Sequence, residues 1–133
     1  MAVDKNGIPL AIRLTGGNVH DSQEFEDLLD ELPKFSNPHG RPSWKPDEIH
    51  ADKGYDSLKC RFACFRRRIK ERIARRGKKL GEKFGRYRWV VERSFAWIHR
   101  FRRLTVRYER RADIHMAFLF LAASFICFSF ALT

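Results

Sequence analysis

A chain of 133 residues with 44% hydrophobic residues and 12 Phe can bury one core, so it reads as a single domain or a piece of one. Three cysteines without even pairing, and no secretory n-region or cleavage site, exclude a disulfide-framed secreted module and point to a reducing cytoplasmic interior. The net charge of +11 is uneven: residues 1–58 carry 6 Lys+Arg against 11 Asp+Glu, whereas residues 59–111 carry 21 against 4, a block suited to a phosphate backbone and found also in ribosomal and RNA-binding proteins.

In chain order, Met1 to Val3 and Ile8 to Thr15 are short, partly alternating apolar runs around Asp4-Lys5-Asn6-Gly7, which predicts two antiparallel strands joined by a hairpin turn. Asp4 belongs to the turn, its side chain bonding local backbone. Gly16-Gly17-Asn18 closes the second strand, and Asp21 or Ser22 is the expected N-cap of a helix over Gln23 to Leu32. Phe25, Leu28, Leu29 and Leu32 form its apolar stripe. His20 stands where it can approach a site from a strand end, but beside a helix start it is expected to make structural hydrogen bonds. Pro33 to Pro46 reads as a loop.

Glu48 to Ala51 is the next strand, ending at Asp52. Gly54 then turns the backbone, and Asp56 or Ser57 caps a helix from Leu58, with Asp56 kept as a cap rather than a ligand. An Asp at the carboxyl end of a strand emerges where open α/β sheets hold ligands, although Asp52-Lys53-Gly54 also fits a plain turn. Cys60 and Cys64 share one face of the helix and make half a metal site at most, so all three cysteines, Cys127 included, read as reduced and structural. Arg66-Arg67-Arg68 ends this helix, Glu71 to Ala74 is a short strand, and Arg75 to Arg86 is a Gly/Lys/Arg loop suited to phosphate contacts through Arg75, Arg76, Lys78 and Lys79.

The stretch Arg86 to Leu104, RYRWVVERSFAWIHRFRRL, has the periodicity of one helix. Val90, Trp97, Phe101 and Leu104 line its core face, while Arg88, Glu92, His99 and Arg103 share the opposite stripe. Glu92 is the only acid there. It is either a metal ligand presented to a polyanion or a surface carboxylate paired with Arg88 and Arg93. Thr105 to Tyr108 alternates like a short extended stretch. Met116 to Thr133 is uncharged and long enough for a membrane span, yet a helix apolar all round also fits a central core helix, which is the reading adopted, with no membrane partner.

The segments R-W-V-V-E-R-S-F-A-W, F-R-R-L and R-Y-E-R-R, with A-D-K-G-Y-D ahead of them, resemble the C-terminal part of a bacterial insertion-sequence transposase of the DDE type. The resemblance runs from Met1 to about Phe130. It implies an α/β fold, an incomplete RNase H-like mixed sheet flanked by helices, over a partial catalytic domain at 1–133. It implies that Asp52 and Glu92 are catalytic and ligate Mg²⁺ or Mn²⁺, and that the first catalytic Asp lies on a strand upstream of Met1. In the related pattern Tyr, two residues, Arg, three residues, Glu, six residues, Lys, the chain matches Arg88 and Glu92, with Gly85 and His99 at the Tyr and Lys positions. DNA contacts are expected from Arg75, Arg76, Lys78, Lys79, Arg86, Arg88, His99 and Arg103. The implied partners are double-stranded DNA, at transposon ends and target, and either a second copy or an upstream-encoded N-terminal segment, in the bacterial cytoplasm near the nucleoid. The alternative is a basic DNA-binding remnant without catalysis, or a subunit supplying half a site.

Overall fold

The computed structural model describes residues 1–34, 45–77 and 82–132, with only the helical backbone for 82–86. They form two compact units: a central one, Thr15–Gly85, and one that joins Met1–Leu14 to Arg86–Thr133.

The central unit is built on a parallel pair of strands, β3 (Glu48–Ala51) and β4 (Lys70–Ile73), in the register Glu48 with Lys70 through Ala51 with Ile73. Parallel strands need a crossover, and α2 (Leu58–Arg66) supplies it. Ser57 caps α2 by accepting from Cys60 N at 3.2 Å. The helix ends in a Schellman arrangement: Arg68 takes a left-handed φ of 54°, its N–H reaches Phe65 O at 2.9 Å and Ile69 N reaches Cys64 O at 2.9 Å. Phe25, Leu29, Cys60, Ala63, Cys64, Ile69 and Ile73 form the core of this unit. Leu58, Phe62 and Phe65 remain exposed on the other face of α2.

Two expectations change in this unit. Asp56 does not cap α2, because Ser57 does. Neither Asp21 nor Ser22 caps the preceding helix: a 3₁₀ turn over Asp21–Gln23 comes first, and the His20 ring accepts from Ser22 N at 3.2 Å. The α-helix proper, α1, is then only Phe25–Asp30 and has no side-chain cap. His20 therefore holds the structural role expected of it.

In the other unit, β1 (Ala2–Val3) pairs antiparallel with β2 (Pro9–Ala11). Asp4 Oδ1 accepts from Asn6 N and Ile8 N, both at 2.8 Å, which makes Asp4 the turn residue predicted. Among the described residues the two strand pairs are separate sheets, not one mixed sheet, since no strand of one pair hydrogen-bonds to the other.

The single helix expected over Arg86 to Leu104 is two. α3 (Glu82–Ile98) starts earlier and stops at Ile98, and α4 (Arg102–Thr105) follows. The last turn of α3 tightens through Arg100 N to Trp97 O and Phe101 N to Ile98 O, and Phe101 then takes an extended ψ of 118°. Thr105 Oγ1 donates to His99 O at 2.7 Å, so Thr105 serves the break and begins no strand. The break leaves Ile98 and Leu104 buried together, with Trp97 and Phe101 packed against Ile12, Ala122, Ala123 and Ile126.

α5 (Ala112–Ala131) is long and apolar enough to cross a membrane by length and composition, a test that core helices also pass. Only Ala122, Ala123 and Ile126 are buried along it, while Phe120, Leu121, Phe125 and Phe128 are exposed. It is a core helix on one face, not all round.

Candidate active site

Asp52 leaves the carboxyl end of β3 and caps the 3₁₀ turn Lys53–Tyr55, its Oδ1 accepting from Gly54 N at 2.9 Å. Oδ2 has no hydrogen bond among the described residues, and the side chain is exposed. A Cβ at Gly54 would come within 3.0 Å of Asp52 Oδ1, so the tight turn keeps the carboxylate in place. Tyr55 lies behind it. Its phenol is pushed up to about 12 by burial and then by the carboxylates of Asp21 and Asp52.

The loop after β4 is tied back to this turn. Arg76 N donates to Asp56 Oδ2 at 2.8 Å and Arg76 Nε to Lys53 O at 3.2 Å. Arg61 spans Asp56 Oδ1 at 2.7 Å and Glu71 Oε1 at 2.6 Å. Asp56 is thus a tie between two strand-end loops. The Arg76 amide, followed by the Arg61 guanidinium, holds the Asp56 carboxyl below its ordinary range. A carboxyl with a lowered folded-state value stabilises the fold above its unfolded value, near 4, and the contribution disappears as pH falls through the folded value. Asp56→Asn is therefore expected to lower the melting temperature at neutral pH and to bring mutant and parent together once pH falls below the folded-state value. A constant gap across that range would show that the Asp56 charge has no part in the tie.

Glu92 lies on α3 with its side chain 61% exposed, and accepts from Arg88 Nε at 2.8 Å. Arg93, the other expected partner of Glu92, faces away: its guanidinium lies 4.3 Å from the Trp89 ring centre and 4.9 Å from that of Trp97, and Nη2 donates to Asn6 O at 2.7 Å. Ser94 is fully buried, its hydroxyl placed to donate to Gly7 O at 2.7 Å or Val90 O at 2.9 Å. The hairpin turn therefore grips α3 at the two residues following Glu92. Sequence reasoning missed this grip because a cation beside an acid reads as its ion-pair partner. The one local signal was Gly7 at the turn, where a positive φ of 85° is needed.

The expected DNA contacts divide between the units. Arg75 is exposed without a side-chain partner among the described residues, and Arg76 is committed to Lys53 O. Lys78, Lys79 and the Arg86 side chain lie outside the described residues. Arg88 is paired with Glu92, His99 stands exposed 6.5 Å from the Phe95 ring, and Arg103 Nη1 binds Glu109 Oε1 at 2.9 Å. Because α3 stops at Ile98, with His99 N still bonded to Phe95 O, the helical stripe of Arg88 and Glu92 does not continue to Arg103. Asp52 belongs to the central unit and Glu92 to the other.

The family model described as the transposase DDE domain matches residues 1–127. The chain belongs to the DDE transposase family. It is 47% identical over 129 residues to a putative transposase for insertion sequence element IS402 of Burkholderia cepacia, covering 97% of this chain and 61% of the relative. It is 32% identical over 119 residues to the transposase for insertion sequence element IS1106 of Neisseria meningitidis serogroup B, covering 82% of this chain and 36% of that relative. The DDE chain thus spans under two thirds of the length of either relative. No solved structure matches it.

DDE transposase domains generally use divalent metals. The donors at Asp52 and Glu92 fit a hard cation in kind, since both are exposed carboxylates and Asp52 has an uncommitted oxygen. No group of three or more His, Cys, Asp and Glu residues suited to a metal occurs among the described residues. The thiols of Cys60 and Cys64 are free and buried, and burial pushes Cys64 up to about 11, which disfavours its thiolate at neutral pH.

Proposed function

We propose that the chain is the Asp52- and Glu92-bearing part of an RNase H-like catalytic domain that cuts and rejoins DNA at transposon ends, with Mg²⁺ or Mn²⁺ bound between carboxylates. The observation that carries this is Asp52 itself: a carboxylate at the end of a parallel strand, fixed by one oxygen and free at the other, in the motif A-D-K-G-Y-D. When bound, such metals polarise the phosphodiester and make water or a 3′-hydroxyl nucleophilic at neutral pH. The Gly54 amide orients Asp52. Glu92, paired with Arg88 at 2.8 Å, would hold the cation together with Asp52, and Arg88 would then be available to a DNA phosphate. Double-stranded DNA is the partner, and a second copy or an N-terminal segment supplies the further acid.

A second reading is favoured by one observation. Arg88 neutralises Glu92, and a pair of that kind suits a basic module that binds DNA without cutting it.

Both readings require salt-sensitive binding to duplex DNA, since cations on residues 59–111 displace counterions in proportion to the phosphates they neutralise. Replacing Arg75, Arg76, Lys78 and Lys79 together with Ala is expected to flatten the slope of log affinity against log salt by about 3 to 4. An unchanged slope would move the binding surface away from this loop.

A further inference from the structure

The connector between α3 and α5 is a built surface. Thr105 Oγ1 ties it to His99 O, Leu104 anchors it in the core, and Arg103 is held by Glu109 at 2.9 Å and by the Phe118 ring 5.7 Å below its guanidinium. Arg107 Nε donates to Glu109 O at 3.2 Å, closing the loop on itself. Above this frame Arg102, Arg103 and Tyr108 line a concave opening of about 380 Å³. Tyr108 is 64% exposed, and Arg102 has no side-chain partner among the described residues.

The geometry points to a nucleotide-binding cleft in which an unpaired DNA base stacks on Tyr108 while its flanking phosphates meet Arg102 and Arg103. This rests on the DNA-acting reading above and adds a site that reading does not need. Arginines alone would fit the backbone of any duplex. An outstanding aromatic ring beside them offers a face on which a base stacks, and the bases of an intact duplex are already stacked on one another. The ligand is therefore a strand end or junction where a base is unpaired.

The test uses the 133-residue chain and three labelled probes of equal length: a blunt duplex, a duplex with a short unpaired DNA tail, and the same duplex with an RNA tail. Wild-type chain is expected to bind the DNA-tailed duplex about tenfold more tightly than the blunt one. Tyr108→Leu should abolish that preference while leaving blunt-duplex affinity unchanged, and Tyr108→Phe should keep it. Arg102→Ala should lower the salt slope by about one on the tailed probe. A tail preference that survives Tyr108→Leu, equal binding of blunt and tailed probes by the wild type, or a stronger preference for the RNA tail would each overturn the site while the DNA-binding reading stands. Absence of salt-sensitive binding to all three probes would sink both.

Discussion

Purified chain incubated with Mg²⁺ or Mn²⁺ and DNA bearing candidate transposon ends is expected to leave both strands intact. On the proposed reading this chain contributes two carboxylates, Asp52 and Glu92, and no group of three or more His, Cys, Asp and Glu suited to a metal occurs among the described residues. Mg²⁺ demands near-ideal octahedral oxygen geometry, which two protein ligands hold weakly. The chain spans 61% of the length of the Burkholderia relative, and joining it to the remaining length of that relative is expected to restore cutting. In the longer protein, Glu92→Gln keeps size and hydrogen-bonding capacity but removes the anion. The loss should exceed the roughly 10- to 100-fold that follows removal of a residue merely supporting a ligand. Cutting by the short chain that disappears with Glu92→Gln would show that two acids suffice. Cutting by the longer protein that survives the substitution would give the field to the reading in which Glu92 is only the partner of Arg88.

Gly7→Ala should be among the most damaging single changes in the unit that carries Glu92. The position has a φ of 85°, where an L residue loses about 1–2 kcal/mol. The new Cβ would also meet Ser94 Oγ at 2.9 Å, forcing apart a buried hydroxyl and the carbonyl it serves. A disrupted buried hydrogen bond costs about 1–3 kcal/mol, so the melting midpoint is expected to fall by on the order of 10 °C. Gly17→Ala is the control, since a Cβ there meets nothing within 4 Å. Adding Ser94→Ala to Gly7→Ala should cost less than the two changes measured apart, because the second removes the oxygen that the first strikes. Strict additivity would mean that the turn and the helix do not touch in solution.

The parts of this fold that were legible in the sequence are those decided locally. Asp4 could be read because a turn Asp bonds the amides beside it, and Asp52 because a short apolar run ends there in turn chemistry. The break after Ile98 was hidden. Trp97, Phe101 and Leu104 keep a helical period across it, and only packing against α5 shows that the chain buries them by turning instead of continuing. His20 was read rightly as a structural hydrogen-bonding residue beside a helix start, and only the caps expected at Asp21 or Ser22 were misplaced. Arg93 carries no sequence mark that tells a stacked cation from a solvated one. The separation into two strand pairs could not be read either, since the partners of a strand are set by residues far along the chain.

The grip of Gly7 on Ser94 joins residues 87 positions apart. Everything between them belongs almost wholly to the central unit, which is continuous in sequence. As the polypeptide emerges from a ribosome, Thr15–Gly85 is available to fold while the hairpin still waits for α3. The hairpin remains open to strand addition or proteolysis until the Ser94 codon is translated. Transcripts that stop before the Ser94 codon therefore yield a finished central unit and a hairpin without its helix.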